Sequence, residues 1–325
     1  MSVARLLTDD LDEAAAALRA GGLVAFPTET VYGLGADAAQ PRAVARVYAA
    51  KGRPADHPLI VHAPEVEAAL SWAQRVPAWA VQLAAACWPG PLTLVLPRAA
   101  AAGLHLTGGQ DTVGVRVPDH PLALALLRAV GGGVAAPSAN RFGQVSPTTA
   151  AHVLAGLGEA LRPGTDLVLD GGPCAVGVES TILDATGSAP RLLRPGGVTV
   201  EQVQEVTGLT VLRSDGTVRA PGTLAAHYAP QARVVLADVG SDVLTPGHPD
   251  DAPTRGLLAL ADVATPAGWV RLAAPADVGD YARVLYASLR EADALGLATV
   301  VAVPPQDAGL GGAVRDRLAR AAASG

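Results

Sequence analysis

Short apolar runs recur along the first two thirds of the chain, each closed by Pro, Gly or a polar turn. Residues 23–26, 59–61, 92–96, 113–117, 134–136, 167–169, 181–183 and 191–193 read as buried strands. Between them, apolar positions at helical spacing predict helices over 41–50, 65–75, 78–86, 121–130 and 199–206. Pro41 and Pro121 sit near first turns, and Gly131-Gly132-Gly133 stops one helix. The stretch from Pro27 to Gly35 is turn-rich and reads as a loop. Strand and helix alternate, so repeated α/β units are expected. Residues 213–230 are punctuated by Gly and Pro and read as a linker, although His227 and Tyr228 are unusual in a passive tether. Beyond it, strands are expected within 232–239, 256–263, 269–274 and 297–305, and helices over 279–293 and 313–322. The expected organisation is a first α/β domain over 1–210, a linker over 211–231 and a second, smaller α/β domain over 232–325.

Composition narrows the class. Half of the residues are apolar and 17% are charged, which suits large cores and excludes disorder. The formal charge of −6 argues against a generally basic nucleic-acid coat but leaves room for a locally basic cleft. Cys87 and Cys174 make no disulfide framework and no C-x-x-C motif. The first residues carry early acids and no apolar core of signal length, and no run is long enough to span a bilayer. A cytoplasmic protein without membrane contact is expected. Of the 24 basic residues 23 are Arg; Lys51 is the single Lys, and Asn140 is the single Asn. In so biased a chain those two positions draw attention.

The candidate chemistry lies at strand and helix ends, where open α/β sheets place ligands. Thr28, Glu29, Thr30 and Tyr32 put polar groups after the first strand. Lys51-Gly52-Arg53-Pro54 is either a basic C-terminal turn that offsets the helix dipole or a cationic clamp for phosphate. His57 and His62 follow. Arg116 and Gly114 share one face of an alternating strand, with Thr112 at its start. Ser138 and Asn140 share a side if Pro137–Asn140 is extended, and an Asn amide suits a nucleotide edge or phosphate loop. Ser146 precedes a helix start whose free N–H groups suit an anion, simple capping being the alternative. Ser180 leads into a strand and Arg194 leaves one. Lys51, Arg53, Arg116 and Arg194 together make a focused positive site in an acidic chain, suited to ATP or a similar polyanion. No Walker loop, G-x-S-x-G elbow, H-E-x-x-H or Cys/His cluster is present, so no protein metal site is expected.

The blocks PTETVYGLG, KGRPADHPL, TVGVRVP, PSANRFGQVSPTTA, GVESTILD and LRPGG, in this order, resemble the YrdC/Sua5 family of L-threonylcarbamoyladenylate synthases. PGTLAAHYAP and the second domain resemble the long, two-domain Sua5 form. The resemblance implies a YrdC-like twisted-sheet catalytic domain with a smaller Rossmann-like Sua5 domain. It implies a nucleotidyltransferase that converts L-threonine, bicarbonate and ATP to threonylcarbamoyl-AMP, pyrophosphate and water. A partner threonylcarbamoyl transferase complex would then use the product at adenosine 37 of tRNA. By the same resemblance Thr30, His62, Ser138 and Ser180 form the threonine pocket. Lys51, Arg53, His57, Thr112, Arg116, Asn140, Ser146, Arg194 and Tyr228 hold the nucleotide, and Lys51, Arg53 and Arg116 stabilise the reacting phosphate. Mg2+ would come with ATP, held mostly by its phosphates, and the linker would fold across the pocket. The family fold has also been linked to double-stranded RNA. An RNA- or tRNA-binding module without synthase activity is therefore the alternative, set against the acidic charge; a weak tRNA contact is compatible with either.

Overall fold

The computed structural model describes residues 6–222, 227–244 and 255–323. They divide into two compact units. The first comprises 6–142, 147–175 and 179–222. The second comprises 143–146, 176–178, 227–244 and 255–323, so it draws in two short pieces from within the sequence span of the first.

The first unit is built on one mixed sheet. Its strands are β1 (Leu7–Thr8), β2 (Val24–Phe26), β3 (Gly33–Asp37), β4 (Ile60–His62), β5 (Leu92–Pro97), β6 (Thr112–Arg116), β7 (Val134–Ala135), β8 (Leu167–Leu169), β9 (Thr181–Asp184), β10 (Arg191–Arg194) and β11 (Leu212–Arg213). Their order across the sheet is β1-β8-β2-β3-β7-β4-β6-β5-β9-β10-β11. The pairs β2–β3, β3–β7, β4–β7, β5–β6 and β9–β10 are antiparallel and the others parallel. The eight helices of this unit are α1 (Leu11–Arg19), α2 (Pro41–Lys51), α3 (Val66–Leu70), α4 (Ala78–Cys87), α5 (Leu104–Thr107), α6 (Pro121–Val130), α7 (Ala150–Leu157) and α8 (Val200–Thr207). The main core joins Leu34, Val61, Leu94, Val113, Val115 and Leu183 from the strands to Val44, Val47, Leu83 and Val203 from the helices. Alternation therefore leaves Ile60, His62, Thr93, Val95, Thr112, Gly114, Arg116 and Ile182 on the opposite face.

Several expectations are corrected. Part of the turn-rich stretch is a strand, Gly33–Asp37, recruited by pairing with β2 and β7 although GLGAD has weak strand propensity. The helix expected over 65–75 is only Val66–Leu70, followed by turns that precede Pro77. Part of the stretch read as linker belongs to the first unit: Leu212–Arg213 pairs in parallel with β10, and Ala220 and Val218 pack with Ile60, Val95, Ile182 and Leu193. That segment lies on the second face of the sheet. Arg219 fixes it, donating to the Gly108 carbonyl and, through its backbone N–H, to Gln110 Oε1.

A buried carboxylate anchors the edge of this unit. Asp166 is fully buried and accepts from Leu23 N–H, Arg162 N–H and Arg46 Nη2, the last at 2.6 Å. Asp166→Ala strands the Arg46 guanidinium and leaves two backbone donors without partners. It is expected to cost about 3 kcal/mol or more, measured by urea unfolding.

The second unit carries four parallel strands, β12 (Arg233–Leu236), β13 (Arg255–Leu258), β14 (Val270–Ala273) and β15 (Thr299–Ala302), in the order β12-β15-β13-β14. Helices α9 (Val278–Ala294) and α10 (Gly311–Ala322) pack on the sheet through Tyr281, Leu285, Leu289, Val314 and Leu318. This matches the smaller α/β domain expected. Tyr228 also lies in this unit, buried, at φ 63°. It stacks on Tyr286 with ring centroids 5.7 Å apart and lies under the Arg317 guanidinium at 5.1 Å. Among the described residues, no helix is long and apolar enough to cross a membrane.

Candidate active site

The second face of the large sheet builds one row of polar side chains. His62 at the end of β4 is directly opposite Arg116 at the end of β6. Leu94 pairs with Val115, which brings Thr93 level with Arg116 on the next strand. Residues directly opposite share a face, so His62, Arg116 and Thr93 line up across three strands. Gly114 leaves the floor beside them low, since a Cβ there would rest on Ile60 and Thr93.

The loop after β2 folds onto this row. Arg116 Nη2 donates to Glu29 Oε1 at 2.6 Å and to Thr30 Oγ1 at 2.9 Å. Thr28 and Thr30 share a hydroxyl hydrogen bond of 2.8 Å, and Thr28 also donates to the Val31 carbonyl. Thr28, Glu29, Thr30, His62 and Arg116 are all buried. The Tyr32 N–H donates to the Pro147 carbonyl, the Ala139 N–H donates to the Tyr32 carbonyl, and the Tyr32 hydroxyl donates to Gly172 O. One residue thus ties the Thr30 loop to the loops of Ser138 and Thr148.

His62 is held neutral, since burial and the Arg116 charge push its pKa down to about 3. Unfolding restores an ordinary value near 6.5. Between about pH 6.5 and 3 the unfolded chain binds a proton that the native site refuses. The contribution is complete above 6.5 and is lost as pH falls, by up to about 1.4 kcal/mol per pH unit from this group. His62→Gln is expected to flatten that loss relative to the parent in urea unfolding at about pH 7, 5.5 and 4.

Helix α2 delivers the cations. Gly52, at φ 63°, closes the helix in the left-handed region, and Arg53 N–H returns to the Tyr48 carbonyl. Lys51 Nζ donates to the carbonyls of Ser138 at 2.6 Å and Asn140 at 2.5 Å. The ammonium is buried, and among the described residues no carboxylate pairs with it. Burial, then the Arg53 charge, holds its pKa well below that of an ordinary lysine. Arg53 donates to the Pro58 carbonyl and lies over the Phe142 ring at 5.7 Å; the His57 ring meets the same phenyl edge-on at 5.3 Å. Burial and the Arg53 charge lower the His57 pKa. Asn140 is buried, its amide donating to the Arg141 carbonyl.

Ser180 and Arg194 form a third group. Arg194 donates through Nε and Nη2 to the Ser180 carbonyl and through Nη2 to Ser180 Oγ. Ser180 Oγ shares a 2.8 Å hydrogen bond with Thr93, which links this group to the Arg116 row, and Arg194 Nη1 donates to the Pro221 carbonyl.

The structure therefore joins Thr30, His62, Arg116, Ser180 and Arg194 on one side, and Lys51, Arg53, His57, Ser138 and Asn140 on the other, with the Tyr32 backbone between. Arg116 and Arg194, expected with the nucleotide, contact the residues expected around threonine. Thr112 begins β6, about 13 Å from Arg116 at the rise of a strand. Ser146 lies in the second unit, where Arg290 of α9 donates to the carbonyls of Val145 and Ser146. Glu29 was read from sequence only as one of the polar groups after the first strand, with no role assigned, and Thr93 was not singled out at all. A polar Thr93 inside the apolar run LTLVL is a signal that marks it.

Four buried cations beside a polar row are suited to a polyanion next to a small polar group. The family described as telomere recombination, Sua5/yciO/yrdC, matches residues 16–196, and the threonylcarbamoyl-AMP synthase C-terminal domain matches 198–323. The threonylcarbamoyl-AMP synthase of Pyrococcus abyssi is 40% identical, over 95% of this chain and 92% of its own. That of Bacillus subtilis is 40% identical, over 98% and 94%. A crystal structure of P. abyssi Sua5 with L-threonine superposes with a TM-score of 0.84 at 38% identity, over 97% of this chain and 94% of that one. The chain belongs to the YrdC/Sua5 family in its two-domain form. It is a nucleotidyltransferase with threonylcarbamoyl-AMP synthase activity, which serves N6-threonylcarbamoyladenosine formation in tRNA.

Proposed function

We propose that Lys51, Arg53, His57 and Asn140 hold the ATP phosphates and nucleotide, and that Thr30, His62, Ser138 and Ser180 hold L-threonine, with Arg116 and Arg194 between the two. Thr112, Ser146 and Tyr228 are assigned to the nucleotide on the resemblance alone. Lys51 carries the reading. A buried ammonium satisfied by two carbonyls and no carboxylate is costly until an anion joins it. The residues fit a two-step reaction. The amine of threonine forms a bond to the carbon of bicarbonate, with loss of water, and a carbamate oxygen then attacks the α-phosphorus while the α–β P–O bond breaks. Two anions meet in the second step, so Lys51, Arg53 and Arg116 stabilise the charge that builds on phosphate oxygens.

Mg2+ arrives as part of the ATP substrate. Phosphate oxygens and water are its ligands in this reading. Residues 218–221, which pack on the site face, are the near edge of a cover that shields the labile mixed anhydride from water. In this reading the enzyme works in the cytoplasm and hands its product to a threonylcarbamoyl transferase complex, with at most weak tRNA contact. The RNA-binding alternative has less support, because the site cations are buried rather than spread over an exposed face and the chain carries a charge of −6. Pyrophosphate release tests the reading. It is expected to require threonine and bicarbonate together, and release from ATP alone at the same rate refutes it.

A further inference from the structure

Glu29 uses only half of its carboxylate. Oε1 accepts from Arg116, whereas Oε2 is buried and has no hydrogen-bond partner. An unpaired buried carboxylate oxygen is expensive, and this one sits beside Thr30 in the row that faces His62 and Thr93. The arrangement suits a donor brought by the substrate. If this side holds threonine, as proposed above, the donor at hand is the substrate's ammonium group.

His120 is a second group that the Glu29 charge reaches. It is half-buried at the start of α6, and its Nδ1 is buried with no hydrogen-bond partner. Burial lowers its pKa, and the charges of Glu29 and Asp119 and a hydrogen bond to the Gly171 backbone offset this only in part. Cys174 also lies within reach of the Glu29 and Arg116 charges. Burial pushes its thiol up to about 12, so it stays protonated and does not compete as an acceptor. His62, held neutral, already bonds the Ile60 carbonyl through Nδ1.

We infer that Glu29 takes the proton of the substrate amine and that His120 carries it toward solvent. One threonine zwitterion and one bicarbonate give one carbamate dianion, one water and one proton. In the step assigned to Glu29 an N–H bond breaks, an Oε2–H bond forms, and the freed nitrogen lone pair makes the N–C bond; the C–OH bond of bicarbonate then breaks, and a second N–H proton goes to the leaving hydroxide to give the water. The proton then moves from Oε2 to Nδ1 of His120 and leaves, which restores both groups.

Glu29→Gln separates this role from bracing Arg116, because the amide keeps an acceptor for the guanidinium but cannot take a proton. Threonine-dependent pyrophosphate release is expected to fall at least about 100-fold. ATP formation from purified threonylcarbamoyl-AMP and pyrophosphate, in which the N–C bond stays intact, is expected to remain within about threefold of the parent. That retained reverse step also shows that the variant is folded. The forward rate of Glu29→Gln is expected to recover as pH rises and solution deprotonates the amine. His120→Asn is expected to lose about tenfold in the forward direction alone. Equal losses in both directions, or an unchanged forward rate, overturn the inference. A parent enzyme that makes neither threonylcarbamoyl-AMP nor, in reverse, ATP overturns the underlying substrate assignment instead.

Discussion

Lys51→Ala is expected to lower kcat/KM for threonylcarbamoyl-AMP formation by about 10³-fold while leaving the fold intact. The ammonium is desolvated, lies beside Arg53 and is held by the carbonyls of Ser138 and Asn140. It is thus fixed before any substrate arrives, and a preorganised cation acts on transition-state charge without reorganising. Without ATP the same charge is a burden, but its removal leaves the Ser138 and Asn140 carbonyls without a donor, so the variant is expected to be modestly less stable than the parent while still folding. Lys51→Arg is also expected to be impaired. The space between two carbonyls 2.5–2.6 Å from the nitrogen suits a compact ammonium rather than a planar fork. Steady-state pyrophosphate release and thermal unfolding of both variants check this. Turnover of Lys51→Ala within threefold of the parent contradicts it.

2-Aminobutyrate is expected to be used up to about 10⁴-fold less well than threonine, because the pocket reads a hydroxyl. Thr28, Thr30, the neutral His62 ring and the Ser180–Thr93 pair are buried polar groups gathered around one row. A ligand of the right size but without a hydroxyl removes their water and returns no hydrogen bond, and that penalty is larger than the loss of a methyl contact. Valine is expected to fail similarly. Serine, which keeps the hydroxyl and lacks a methyl group, is expected to fall between. Competition for product formation at saturating bicarbonate gives the ratio directly, and equal use of threonine and 2-aminobutyrate sinks a hydroxyl-reading pocket.

What the sequence showed, it showed through local signals. Apolar runs marked most strands, Gly52 and Gly131 marked helix ends, and the lone Lys51 and Asn140 stood out against an Arg-rich background; the fold brings them together. Helix α1 escaped although its signals are present, with Asp10 capping Asp12 and Glu13 and an Ala run following. The strand Gly33–Asp37 has no β-branched residue and exists because two neighbours pair with it. Long-range partners were illegible for the same reason. Glu29 and Arg116 are 87 positions apart, and nothing local says that one neutralises the other. The burial of Tyr228 between Tyr286 and Arg317 likewise depends on helices far along the chain.

In the proposed reaction a carbon atom passes from bicarbonate into a mixed anhydride with AMP, between the Arg116 group and the Lys51 group. Incubation with carbon-13 bicarbonate, threonine and ATP, followed by mass spectrometry of the nucleotide product, tests this most directly. The expected result is threonylcarbamoyl-AMP heavier by one mass unit, with the label in the carbamoyl carbon and one pyrophosphate released per product. Unlabelled threonyl-AMP, or AMP and pyrophosphate formed at the same rate without bicarbonate, contradicts it.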